Sequence, residues 1–321
     1  MRLVFMGTPD FALPSFDALL ASSEHTVVGV VTQPDRPQGR GLQMTASPVK
    51  NVALAHDLPV LQPERFKDTG FRTALKALQA DLFVVVAFRI LPVSLLAMPR
   101  LGAINLHASL LPKYRGAAPI QWAIINGEAE TGVTTFLLDR SVDTGHILLQ
   151  RRTPVDSEET AGALSRRLAE IGAELLLETI NRLAKGDLVG RPQIGTPSTA
   201  PKLCKQDGQV DWLQPAETIH NRIRGLNPYP MAYTGWRNRT VRLIGSQVLG
   251  EWKGASGHPG EIVAADKANG LVIQTGRGFL AMLALQPEGR KQMSAKDFVQ
   301  GYRPTTGERF TIPAGLHAAG D

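Results

Sequence analysis

With 321 residues, 43% of them hydrophobic, the chain is long for one domain, and two domains with sizeable cores are expected. A formal charge of +6 suits a polyanionic partner without identifying one, and from Lys205 onward 14 basic residues stand against 10 acidic. The single cysteine, Cys204, excludes an internal disulfide and fits a reducing cytosol, and no apolar run approaches the roughly 18 residues of a membrane span.

The first ten residues carry one basic side chain and a short apolar run ended by Gly7 and Pro9, too little for a signal peptide. They read as a first strand. Gly-Thr-Pro-Asp follows where a dinucleotide fold places its glycine fingerprint, but Pro9 stands in place of the second glycine, so nicotinamide binding is not expected. Runs rich in Val, Ile or Phe at residues 3–6, 27–32, 82–87 and 104–106 read as buried strands, and residues 16–22, 49–56, 72–79 and 120–125 read as helices between them. That alternation implies an α/β fold, a doubly wound, mostly parallel sheet covered on both faces, with ligands at the carboxyl ends of the strands. Residues 33–48 form a long loop punctuated by Pro and Gly that carries Arg36 and Arg40, and Gly39-Arg40-Gly41 lacks the Lys-Ser/Thr of a phosphate loop. Loops of this length are functional or disordered, and arginines on one beside a pocket can grip phosphates or base edges.

A long helix is expected over 159–185, where Leu164, Leu168, Ile171, Leu175 and Leu176 recur at helical spacing before Gly186. Residues 190–200 hold Gly, Pro, Ser and Thr without apolar periodicity and read as a linker. Short strands at 241–244, 260–264, 271–275 and 279–285, separated by turns with glycine, favour a small β barrel. The expected organisation is a catalytic domain at 1–189, a linker at 190–206 and a second domain at 207–321.

Asn105, His107 and Asp143 combine an amide, an imidazole and a carboxylate. An amide can donate to a carbonyl oxygen as it turns negative, an imidazole can shuttle a proton, and a carboxylate can orient and charge the imidazole, which is equipment for acyl transfer. Asn105 and His107 are two apart on a strand and so face the same side. Asp143 lies in Asp-Thr-Gly, and Asp68-Thr69-Gly70 is a second copy, as in an aspartic protease. The copy at Asp68 follows a lysine rather than a strand, and alternating strands and helices are wrong for an all-β protease. The seven histidines form no HxxxH pair, and no metal is expected.

Several longer segments point further: Gly-Thr-Pro-Asp-Phe at 7–11, Thr-Gln-Pro-Asp-Arg-Pro at 32–37, Ser-Leu-Leu-Pro-Lys-Tyr-Arg-Gly-Ala-Ala-Pro-Ile-Gln at 109–121, Glu-Thr-Gly-Val-Thr at 130–134, Val-Asp-Thr-Gly at 142–145, Ile-Arg-Gly-Leu-Asn-Pro-Tyr-Pro at 223–230, and Leu-Gln-Pro-Glu-Gly-Arg-Lys-Gln-Met-Ser-Ala at 285–295. In these the chain resembles the methionyl-tRNA formyltransferases over nearly its whole length. The resemblance implies a Rossmann-like formyltransferase fold followed by an OB-like barrel. It implies transfer of a formyl group from 10-formyltetrahydrofolate, as co-substrate, to the amino group of methionine on initiator tRNA. Asn105, His107 and Asp143 would then be catalytic, Ser109, Leu110, Leu111 and Pro112 would belong to the folate site, and Arg36 and Arg40 to the tRNA-contacting loop. A cytoplasmic monomer without a metal is expected. The alternatives are a folate-dependent formyltransferase acting on an amino-sugar nucleotide and a noncatalytic RNA-binding relative. One departure stands out. Where the family reads Ala-Tyr-Gly-x-Ile-Leu-Pro, this chain reads Ala87-Phe88-Arg89-Ile90-Leu91-Pro92, one residue shorter and without the glycine, in a segment that lines the pterin pocket of the family.

Overall fold

The computed structural model describes residues 1–38 and 43–312. Its elements run β1 (Arg2–Gly7), α1 (Leu13–Leu20), β2 (Thr26–Val31), β3 (Arg36–Gln38), β4 (Gln43–Thr45), α2 (Pro48–Ala55), β5 (Val60–Leu61), α3 (Thr69–Ala77), β6 (Leu82–Val86), α4 (Val93–Leu96), β7 (Ala103–His107), β8 (Arg115–Gly116), α5 (Pro119–Ile125), β9 (Glu130–Leu137), β10 (Ile147–Pro154), α6 (Ala161–Lys185) and β11 (Thr199–Ala200). They continue with α7 (Ala216–Gly225), β12 (Ala232–Trp236), β13 (Arg239–Leu249), β14 (Ile262–Asp266), β15 (Gly270–Gln274), β16 (Phe279–Pro287), β17 (Met293–Ser294) and α8 (Ala295–Tyr302). Two compact units interleave along the chain. The first comprises Met1–Pro119, Glu130–Pro154 and Ser165–Ala200, and the second Ile120–Ala129, Val155–Leu164 and the chain from Pro201 on.

The first unit is built on a seven-stranded sheet in the order β10-β9-β7-β6-β1-β2-β5. β1, β2, β5, β6 and β7 are parallel, whereas β9 runs antiparallel to β7 and β10 to β9. The sheet is therefore mostly parallel, as the strand and helix alternation predicts. β6 is buried at every position and β1 at all but Arg2, which is why both read as unbroken apolar runs rather than alternating ones. Phe5 of β1 stacks on Phe16 of α1 with ring centroids 4.7 Å apart. Ser47 caps α2 by accepting from the Lys50 N–H, with Pro48 in the first turn, and Asp68 caps α3 by accepting from the Phe71 N–H at 2.7 Å. The second Asp-Thr-Gly copy is thus a helix start.

Within the long loop the described residues form two short antiparallel strands, with Arg36 of β3 paired to Thr45 of β4. Asp35 anchors its base, accepting from Lys50 Nζ at 2.6 Å and Gln62 Nε2 at 2.8 Å, and these donors hold its carboxyl below the usual carboxylate range. Arg40 lies outside the described residues.

Residues 190–200, expected as a linker, are tied to the first unit instead. Arg191 exchanges backbone hydrogen bonds with Ile147, and β11 pairs in parallel with β8. The segment lacks apolar periodicity because its attachments are made by backbone and amide groups, which leave no hydrophobic pattern.

In the second unit β12, β13, β16, β15 and β14 form an antiparallel sheet, with β17 added to β16. Its two edges meet on one segment: Thr311 bridges Gly235 of β12, and Arg309 bridges Glu261 just before β14. Closure in this way removes the free edges, as in a barrel. The buried face of α7 holds residues 156–159, with His220 Nε2 3.1 Å from Ser157 O, and Arg224 Nη1 donating to Asp156 O at 3.0 Å and Glu159 O at 3.1 Å.

Candidate active site

Asn105 and His107 share one side of β7, paired with Phe136 and Thr134 of β9. His107 is buried, and its Nε2 lies 2.8 Å from the carbonyl oxygen of Tyr114. A carbonyl only accepts, so Nε2 carries the hydrogen and Nδ1 is the nitrogen left to exchange a proton. Asp143 Oδ2 lies 3.8 Å from Nδ1, within ion-pair range and too long for a hydrogen bond. The ring also meets the Phe136 ring edge to face, with centroids 6.5 Å apart. Among the described residues the Asn105 amide makes no hydrogen bond, and the residue is only half-buried, so its donors are open to a ligand.

Asp143 reaches this place through an unusual backbone. Its φ is 54°, in the left-handed region that Asp tolerates better than most residues. The Gly145 that follows has no room for a side chain, since a Cβ there would lie 1.6 Å from Leu137 O. The carboxylate is buried and accepts from the Gly116 N–H at 2.8 Å. Gly116 is equally constrained: its φ is 124°, and a Cβ would come within 2.6 Å of Ala200 O. Tyr114, with φ 61°, completes a tripeptide in which one carbonyl holds the histidine and one N–H holds the aspartate. A bulky residue in that region is strained by roughly 1–2 kcal/mol, which the surrounding contacts must hold in place.

Ser109, Leu110, Leu111 and Pro112 form a wall beside these groups. The Ser109 hydroxyl turns inward and donates to Lys113 O at 2.6 Å, and Leu111 is buried. Each carbonyl of the four is already held: Ser109 O by Thr134 Oγ1, Leu110 O by the Lys113 N–H, Leu111 O by Gln150 Nε2 and Pro112 O by the Ser198 N–H. The wall is rigid because β9 and β10 grip it from behind. Thr134 and Gln150 were not singled out from the sequence, although Thr134 ends the Glu-Thr-Gly-Val-Thr segment. Tyr114, Gly116, Gln193 and Ser198 were also missed as site residues.

The shortened 87–92 segment resolves simply. Ala87 takes the left-handed conformation, with φ 48°, without the help of a glycine. Arg89 does not point a bare charge at the sheet edge. Its Nη2 donates to Pro63 O at 2.6 Å, its Nη1 to Glu64 O at 3.3 Å, and its guanidinium lies 4.4 Å from the centre of the Phe66 ring. Burial lowers its pKa from the usual value, and its buried Nε is without a partner.

The model for the family described as formyl transferase matches residues 1–180, and that for the formyl transferase C-terminal domain matches residues 202–303. The chain is 49% identical over 320 residues to a methionyl-tRNA formyltransferase of Synechococcus sp. (strain JA-3-3Ab), covering 97% of this chain and 99% of the relative. It is 47% identical over 306 residues to one from Thermodesulfovibrio yellowstonii (strain ATCC 51303 / DSM 11347 / YP87), covering 95% and 97%. Among solved structures, an N-formyltransferase from Helicobacter canadensis in complex with folinic acid and dTDP-3-aminofucose shares the fold, with a TM-score of 0.65 and 21% identity over 89% of this chain and 99% of that one. With this identity over almost its full length, and with both family models matched in order along it, the chain belongs to the methionyl-tRNA formyltransferase family.

Proposed function

We propose that this enzyme transfers the formyl group of 10-formyltetrahydrofolate to the α-amino group of methionine on initiator methionyl-tRNA, acting in the cytoplasm as a monomer. The observation that carries the reading is the convergence of Asn105, His107 and Asp143 beside the Ser109–Pro112 wall, at the carboxyl end of β7. The folate site belongs to that wall, and Arg36 and Arg40 belong to the tRNA-contacting loop.

An α-amino group titrates near pH 8, so roughly a tenth of it is free base at pH 7, and that form can attack the formyl carbon directly. As the C–N bond forms, the formyl oxygen becomes an oxyanion, and the Asn105 amide and protonated His107 stabilise it. Collapse of the tetrahedral intermediate breaks the bond to the folate nitrogen. The proton lost by the attacking amine must end on that nitrogen, and His107 Nδ1 relays it while Nε2 stays fixed to Tyr114 O. Asp143, 3.8 Å from Nδ1, faces the imidazole and orients it.

The test is transfer of labelled formyl from 10-formyltetrahydrofolate to initiator methionyl-tRNA, beside an elongator methionyl-tRNA and an amino-sugar nucleotide. Transfer to the initiator alone is expected. Transfer to the amino-sugar nucleotide in its place, or tRNA binding without transfer to any acceptor, would overturn the reading.

A further inference from the structure

Resting on the formyl-transfer reading above, we infer that Gln193 is a positioning residue of the reaction, setting the Asp143 carboxylate against His107 without touching the reacting atoms. Its Oε1 accepts from Arg115 Nε at 3.2 Å and Nη2 at 2.7 Å, and its Nε2 donates to Asp143 O at 2.8 Å and Gly145 O at 2.9 Å. Two accepted and two donated bonds are the whole capacity of a carboxamide. The partners also fix which way the amide points, because a guanidinium only donates and a carbonyl only accepts.

What the amide joins is the reason to assign it a role in the chemistry. Arg115 lies between Tyr114, whose carbonyl holds His107, and Gly116, whose N–H holds the Asp143 carboxylate. On its other side Gln193 holds the backbone of Asp143 itself, at a residue whose φ of 54° is costly to keep. Gln193 therefore closes a ring running from the aspartate backbone through Arg115 and Gly116 to the aspartate carboxylate. The segment that carries it is fastened to the same tripeptide, since Ser198 Oγ accepts from the Tyr114 N–H at 2.9 Å and Ser198 O accepts from the Arg115 N–H at 2.9 Å. Without the amide, two carbonyls and a guanidinium lose their partners together, and Asp143 is free to leave the left-handed conformation that aims it.

Gln193→Met keeps the shape and removes all four bonds. Gln193→Glu keeps an acceptor for Arg115 and loses both donors to the aspartate turn. Both are expected to lower kcat about tenfold while KM for folate and for tRNA stays within about twofold, the split that follows when geometry at the reacting centre is disturbed and binding is not. In an Asp143→Ala background Gln193→Met should cost less than about twofold more, because residues acting as a unit are not additive. Hydrogen exchange over residues 142–146 should accelerate in either single variant, and this readout stands even if the chain proves to transfer no formyl group. Wild-type kcat in Gln193→Glu, equal fold losses with and without Asp143, or unchanged exchange over 142–146 would each overturn the inference. Absence of transfer by the wild-type chain overturns the functional reading instead.

Discussion

Thr134→Val tests how the Ser109–Pro112 wall is held. Thr134 is fully buried; its hydroxyl donates to Ser109 O at 2.6 Å and accepts from the Leu111 N–H at 3.2 Å and Gln150 Nε2 at 2.9 Å. Valine has nearly the same shape and no hydroxyl. Gln150 Nε2 keeps its bond to Leu111 O at 2.9 Å, so two backbone groups, Leu111 N–H and Ser109 C=O, are orphaned in the interior. Each buried orphan costs about 1–3 kcal/mol, and partial relaxation of the wall brings the expected loss to about 2–4 kcal/mol. Thr134→Ser keeps the hydroxyl and gives up one buried methyl, worth about 1 kcal/mol. All four tryptophans lie in the second unit, so fluorescence would miss the change, and hydrogen exchange over residues 103–116 is the proper readout of local stability. The folate KM should rise several-fold in the valine variant and hardly move in the serine variant. A valine variant no less protected than the serine variant, with unchanged folate KM, would refute the reasoning.

In the second unit, Glu308 accepts from Arg237 Nε at 2.9 Å and Nη2 at 2.6 Å and from Thr305, which lowers its pKa from 4.5 to about 2. A depressed carboxylate stabilises above its unfolded pKa and loses that contribution as pH falls from about 4.5 toward about 2. Glu308→Gln should cost about 1–2 kcal/mol at pH 7, discounted because Arg237 is half exposed, and the gap to wild type should close near about pH 2; tryptophan fluorescence follows it, since Arg237 lies 4.2 Å over the Trp236 ring. Arg89→Ala removes two carbonyl contacts and the stacking on Phe66, so unfolding should come about 1–2 kcal/mol sooner and the folate KM should rise; identical values for both would show that the shortened segment holds itself. Arg36→Leu and Arg40→Leu should lower tRNA-dependent kcat/KM with little effect on folate binding, and each lost phosphate contact should flatten the log–log salt slope by nearly one; an unchanged slope argues for contact with a base or for none.

The sheet was legible because its strands are apolar runs buried on both faces, as in β1 and β6. Asn105 and His107 were legible together because a strand repeats every two residues. The partners of His107 and Asp143 were not, for a physical reason: the Tyr114 carbonyl and the Gly116 N–H are backbone groups that every sequence possesses. Gln193 was hidden differently. Its segment makes polar attachments without hydrophobic pattern, and composition alone reads such a stretch as a linker. The Ser109 hydroxyl closes its own turn by donating to Lys113 O, a contact that leaves no mark in the sequence pattern. Arg89 brings a charge into the altered segment, and only three dimensions reveal that Pro63, Glu64 and Phe66 take it up.

The most direct test of the account is single-turnover formyl transfer by Asn105→Ala, measured beside its affinity for initiator methionyl-tRNA. Removal of one oxyanion donor should slow transfer about 10²- to 10³-fold and leave tRNA affinity nearly unchanged. Transfer at the wild-type rate, or a loss confined to tRNA binding, would contradict the placement of the chemistry at this end of β7.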